Sequence, residues 1–243
     1  MDDQIWTVEA VGNDRCYLEA LLELLLPEYA RIFGEETMMA ERCLVYNDKT
    51  ASVPRLIWNT TPIRIRLAQP EGLGYWSQTV FQLSHELCHY AIRQNKQDKD
   101  YWLSWFEEIL CKAMSLYALH YSSERWDACM LHSMNAGYSR GIQGYLDDEL
   151  LKPCPLEKPS FDSLQEYEDT YYDHKDLDRA KRNELFCAIK EQPLLARHFQ
   201  EYPAYLVPPQ RLLIDFDRWE REKPNPLLPL FRTLQPRLRE DKS

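Results

Sequence analysis

The chain has 243 residues, a formal net charge of −10, 44% apolar residues and 28% charged residues. That length buries a substantial core as one large domain or two small ones, and the composition is globular rather than disordered. The acidic balance disfavours a nucleic-acid partner, since "RIRLAQ" and "PRLRE" are thin basic clusters, and with only 7 Gly there is no phosphate-cradling glycine motif.

In residues 16–33, Leu18, Leu21, Leu22 and Leu25 recur at helical spacing. They predict a helix that Pro27 kinks or divides and Gly34 stops. Three β-like runs follow, at 42–48, 55–59 and 62–69. In the last, Ile63, Ile65 and Leu67 alternate with Arg64 and Arg66, as in a half-buried strand. The short polar "NTT" before it predicts a hairpin, and either arm is a candidate sheet edge over a cleft. A helix is expected from about Trp76 to Ile92, with Val80, Leu83, Leu87 and Ala91 facing the core. After the polar connection 93–100 comes a second apolar helix, from about Tyr101 to Tyr121, with Leu103, Phe106, Leu110, Met114 and Tyr117 inward.

Ser122 and Ser123 are candidate caps for a further helix. Residues 146–178 read as acidic and loop-rich, and "EYEDTYYDHKD" (166–176) as a disordered loop rather than a lid. A helix at 177–191 with Asp176 as N-cap, a shorter helix after Pro193, a strand at 211–219 and an extended tail from Pro224 complete the chain.

The seven cysteines, Cys16, Cys43, Cys88, Cys111, Cys129, Cys154 and Cys187, are odd in number, scattered and free of any CxxC. They fit free thiols in a reducing compartment. "MDDQIW" lacks a hydrophobic signal core, and no apolar run approaches the ~20 residues of a membrane span. The expectation is a cytoplasmic protein, or one exported without a cleavable signal peptide.

"QLSHELCHYAI" (82–92) carries the chemistry. His85 and His89 are one helical turn apart and so ~5–6 Å from each other on one face. Two such imidazoles can hold one zinc at ~2.0–2.1 Å. Glu86 sits about 100° round the helix and can reach a water on the metal without ligating. Leu87 points into the core, and the Cys88 thiol packs. The continuation "HELCHYAIRQN" lacks the glycine and third histidine of HExxHxxGxxH, which rejects the metzincins. A glutamate on the next helix is the other solution. "WLSWFEEILCKAMS" offers Glu108, 19 residues after His89, with Glu107 as its competitor. A di-iron bundle needs the ExxH motif on two helices, and only Glu86-x-x-His89 occurs.

This arrangement resembles the gluzincins, the clan of thermolysin and aminopeptidase N. "WFEEILC" is similar to their ligand-helix motif, W-L/F-x-E-G/A-x-A, with Cys111 in a small-residue position and Ile109 replacing the small residue after the ligand. "FQLSHELCHYAI" resembles the motif helix of small cytosolic metalloproteases of the ImmA/IrrE type. The resemblance covers roughly 55–121. It implies His85, His89 and Glu108 as ligands of Zn2+ and Glu86 as general base and acid. It also implies a peptide or protein substrate and a downstream Tyr or His that steadies the oxyanion. Tyr117, His120, Tyr121, His132 and His174 are the candidates. Trp102, Trp105 and Phe106 read first as core, with a wall of the cleft beside Glu108 as the alternative.

The expected fold is α+β: a zincin-like core over 1–145 with a small, mostly antiparallel sheet, and a largely helical C-terminal region over 146–243 that completes the cleft or continues the same domain. The expected activity is zinc-dependent peptide hydrolysis. Its rival is a binding or sensing module on the same scaffold with a structural or vestigial zinc site. No nucleic-acid or membrane partner is expected, and the oligomeric state stays open.

Overall fold

A four-stranded sheet lies in the order β1-β2-β4-β3. The computed structural model describes residues 4–94, 96, 103–154, 160–174 (His174 without its side chain), 176–236 and 238. β1 (Trp6–Glu9), β2 (Cys43–Asn47) and β4 (Ile63–Leu67) run parallel, and β3 (Arg55–Ile57) pairs antiparallel with β4. The sheet is therefore mixed, not mostly antiparallel. The reason is α1 (Gly12–Phe33), a crossover that carries the chain back before β2 begins. The expected hairpin is present, with Leu56 opposite Ile65, and it places β3 rather than β4 at the edge. Ile63, Ile65 and Leu67 are buried while Arg64 is exposed, as the alternation requires.

α1 runs undivided through Pro27. A proline inside a helix costs about 3 kcal/mol. Burial of Leu18, Leu21, Leu22, Leu25, Tyr29 and Ile32 offsets this, at roughly 1.5–3 kcal/mol for each large side chain. A short helix, α2 (Glu35–Met38), follows Gly34, whose φ of 100° only glycine adopts without strain.

The central element is α3 (Trp76–Gln94). Val80, Leu83, Leu87 and Ala91 are fully buried, but burial extends round the whole helix from Gln82 to Arg93. On the sheet side, the Ala68 N–H donates to Gln82 Oε1 at 2.9 Å and Gln82 Nε2 donates to the Ala68 carbonyl at 3.1 Å. From α1, the Tyr29 hydroxyl donates to the Ser84 carbonyl at 2.8 Å. Against the remaining side packs α4 (Ser104–Glu124). A helix covered on every side leaves its polar side chains no water, so each needs a partner in the protein.

The C-terminal half holds more helix than its prolines suggest. α5 (Ser139–Leu151) and α6 (Leu164–His174) occupy much of the expected loop at 146–178. Tyr167 and Tyr171, one turn apart, are both buried and tie α6 to the core. Ser122 and Ser123 belong to the last turn of α4 instead of capping a new helix, and Ser123 Oγ donates to the His120 carbonyl at 2.8 Å. α7 (Arg179–Glu191) starts after Asp178, not Asp176, because the Asp178 carbonyl accepts the Arg182 N–H at 2.8 Å. The expected strand at 211–219 is replaced by α8 (Phe216–Glu222), capped by Asp215 Oδ1 on the Arg218 N–H at 2.8 Å. The expected extended tail contains α9 (Leu228–Leu234), held by buried Leu228, Phe231 and Leu234. Tyr101 and Trp102 lie outside the described residues. One cluster of buried apolar side chains spans Trp6 to Leu234. No helix among the described residues is long and apolar enough to cross a membrane.

The start of α4 depends on a distant residue. Its first N–H groups, Ser104 and Trp105, donate to Glu168 of α6 at 2.8 and 3.4 Å. Replacing such a capping acceptor costs about 0.5–2 kcal/mol. Glu168→Ala is expected to lower the unfolding free energy by that amount, read as a lower urea midpoint at unchanged slope, whereas an unchanged midpoint would show that the cap contributes nothing.

Candidate metal centre

α3 presents His85 and His89 on one face, with their Nε2 atoms 3.1 Å apart. α4 brings Glu108 to them. Glu108 Oε2 lies 3.4 Å from His85 Nε2, and Oε1 lies 3.4 Å from His89 Nε2. One donor atom from each residue falls within 4.8 Å of the other two. A tetrahedral ion with bonds of ~2.0–2.1 Å separates its ligand atoms by ~3.3–3.4 Å, so the donor set fits zinc in type and spacing. Side-chain exposures of 11% for His85, 7% for His89 and 12% for Glu108 leave the triad deep but not sealed.

Glu107 turns about 100° away from Glu108 and takes a different part. Its Oε1 lies 2.7 Å from His89 Nδ1, and its Oε2 accepts from Lys96 Nζ at 2.5 Å and from the Tyr202 hydroxyl. Burial acts to raise this carboxyl, but Lys96 and His89 outweigh it and hold the group far below the usual range. An ionised Glu107 therefore accepts the Nδ1–H of His89. That contact fixes the ring orientation and turns Nε2 toward His85 and Glu108, where a bound metal would take the place of the Nε2 proton. For Glu108, burial again raises and the two imidazoles again prevail, so it too stays ionised. Two imidazole nitrogens and a carboxylate thus converge on one point, an arrangement that could hold a shared cation.

Glu86 is buried beside this triad. Burial pushes its carboxyl up, His85 and His89 pull it down, and the net direction is upward. The backbone amide of Leu56, on edge strand β3, also acts on it. A raised carboxyl beside two imidazoles suits a group that takes up a proton more readily than an exposed glutamate. The Cys88 and Cys111 thiols meet in the buried seam between the helices, and burial raises both. They are packing groups, not nucleophiles.

The triad comes together from His85, His89 and Glu108, but the expected oxyanion donors do not join it. The Tyr117 hydroxyl donates to Glu28, and Tyr121 stacks on Tyr117. His120 faces Glu124 at 3.5 Å, and His132 lies on a separate 3-10 turn, Met130–Ser133. The His174 side chain lies outside the described residues. Trp105 and Phe106 are core residues, with Phe106 edge-on to Tyr202, and do not wall a cleft. The residue the sequence reading missed is Tyr172 on α6, whose hydroxyl donates to Glu108 Oε1 at 3.3 Å. The tyrosines at 167 and 171, at helical spacing, were the available signal that this segment is a helix.

The two adjacent glutamates are expected to separate in a chelator competition. Loss of a carboxylate that orients a ligand typically lowers metal affinity about 10–100-fold. Glu107→Ala should fall in that range, and Glu108→Ala should fall further. The reverse order would exchange their parts. No protein-family model matches the chain, and neither does any curated protein or solved structure, so the site is read from its own geometry.

Proposed function

We propose that this protein is a zinc-dependent peptidase of gluzincin type, with a zincin-like core. The observation that carries the reading is the convergence of His85, His89 and Glu108 with a separate buried carboxyl, Glu86, beside them. A purely structural site needs the first three and has no use for the fourth. Zinc held by the triad would supply a Lewis acid for a peptide carbonyl and bring the pKa of a bound water to ~7.

The remaining work falls to the chain's own side chains. Glu86 takes the proton of the attacking water and later delivers it to the leaving amine. Its raised carboxyl favours uptake of that proton. The Tyr172 hydroxyl, now donating to Glu108, would turn from it to donate to the oxygen on which negative charge develops. Burial and the neighbouring Glu108 raise that phenol, so it keeps its proton and remains a donor. Glu107, with Lys96 and Tyr202 behind it, keeps His89 from rotating out of place. Edge strand β3 adjoins Glu86 through Leu56, where an extended peptide could add as a further strand.

The low exposure of the triad favours one rival, a docking or sensing module in which the metal is structural. Turnover separates the two. Glu86→Gln is expected to retain about one zinc per chain, as for a site with the same ligand set. The same variant should lose about 10²–10⁴-fold in hydrolysis of a mixed peptide library. Zinc retained with no turnover in either protein would favour the docking module. Chelation should abolish hydrolysis and added zinc should restore it. Tyr172→Phe is expected to lower kcat about 10²-fold with little change in KM or zinc content. A fall in zinc content alone would reduce Tyr172 to a support for Glu108.

A further inference from the structure

Ile63, Ile65 and Leu67 of β4 and Leu56 of β3 lie on the buried side of the sheet. Arg64 and Arg66 of β4 and Arg55 of β3 therefore share the opposite, outer face. Arg55 stands directly across from Arg66, and Arg64 is two residues along β4. Like charges directly opposite in an antiparallel pair are destabilising. Arg55 and Arg64 are exposed. Among the described residues none of the three makes an ion pair, and the buried Arg66 Nε has no acceptor. Two carboxylates stand nearest. Asp48, in the turn after β2, accepts the Thr50 N–H at 2.9 Å and the Thr50 hydroxyl at 2.6 Å. Thr50, more than Arg66, keeps that carboxyl below the usual range. Glu9 shares the outer face but sits on β1, two strands from β4. A chain of formal net charge −10 thus gathers three arginines on the outer face of one hairpin.

The same hairpin borders the triad. β3 is the edge strand, and the Leu56 amide acts on Glu86. A peptide added beside β3 alternates its side chains between the two faces of the sheet. The residue opposite Leu56 turns its side chain to the buried face, the side of Glu86. Its neighbour opposite Arg55 turns its side chain to the outer face. There Arg55, with Arg66 behind it, forms one row across the strands. The neighbour on the other side meets Ile57, an apolar side chain.

We infer that this row selects an acidic substrate side chain, Asp or Glu, within two residues of the scissile bond, with Arg55 as its anchor. The inference rests on the peptidase reading of the triad and names a substrate class for it. It also runs against the overall charge, which by itself favours a basic partner. A carboxylate beside Arg55 would offset the repulsion between Arg55 and Arg66. A peptide's terminal carboxylate and a nucleic-acid phosphate carry the same sign of charge, but the place of the row beside Glu86 favours an acidic side chain.

The test uses the full zinc-loaded chain and quenched fluorogenic peptides carrying Glu, Gln or Lys at each of the two positions on either side of the cut. Each peptide is made with a free and with an amidated C-terminus. A cross-strand ion pair gives about fivefold in kcat/KM for Glu over Gln at one position, with the Lys peptide slowest. Arg55→Gln should bring the ratio of Glu to Gln to about one. The same variant should leave the urea midpoint unchanged or raised, because it removes a like-charge pair. Turnover with no preference for Glu, or a preference that survives Arg55→Gln, overturns the inference. A preference lost together with a lowered midpoint makes Arg55 a support of the fold and overturns it too. A preference for free over amidated termini alone assigns the row to the chain end. Binding of a labelled single-stranded oligonucleotide that is tighter than that of the Glu peptide and depends on Arg55 assigns it to phosphate. Either result overturns the inference. If no peptide is cut, the peptidase reading fails separately, and fluorescence anisotropy of the labelled amidated Glu and Gln peptides decides the row. Tighter binding of the Glu peptide that Arg55→Gln abolishes supports it, and equal binding overturns it.

Discussion

Between α3 and α4, two imidazoles and three carboxylates are buried where almost every other contact is apolar. An ionised carboxylate taken out of water costs several kcal/mol unless it is paired and hydrogen-bonded. The fold answers that demand group by group. Glu107 receives Lys96, His89 and Tyr202. Glu108 receives both imidazoles and Tyr172. The His85, His89 and Glu108 donors meet at one point, and their type and spacing would fit a divalent cation there.

Three glutamates within one seam show how environment separates chemically identical side chains. Glu86 is raised because burial dominates, while Glu107 and Glu108 are lowered because cationic neighbours outweigh the same burial. The result is one carboxyl poised to exchange a proton and two held as anions. That division is what acid–base work at the proposed site would require.

The elements around the seam act mainly as supports. α1 and the sheet anchor the back of α3 through Tyr29 and Gln82. α6 does two things at once: Glu168 caps α4, and Tyr172, one turn further on, meets Glu108. Cap and contact come from one rigid helix, so the start of α4 and the position of Glu108 are coupled. Tyr202 adds a hydroxyl to Glu107 from still later in the chain. Residues beyond 160 therefore contribute to a site whose candidate donors all lie before residue 109.

Much of this was legible in the order of residues. Helical spacing placed His85 and His89 on one face, strand alternation described β4, and the apolar stripe of α3 pointed where it does point. Those features are local: a period of 3.6 or 2 determines them within a few residues. The motif pointed to Glu108 over Glu107, but the contact of Glu107 with His89 was not legible, because a step of 100° selects a partner only once the facing helix is in place. Nor was the parallel pairing of β1, the helix in the acidic stretch around Tyr172, or the turn of Tyr117 and His120 away from the triad. Each depends on a contact made across tens of residues. The sequence by itself determined which side chains could bind a metal, and the tertiary structure decided which of them meet, because local geometry sets direction while long-range packing sets the neighbour.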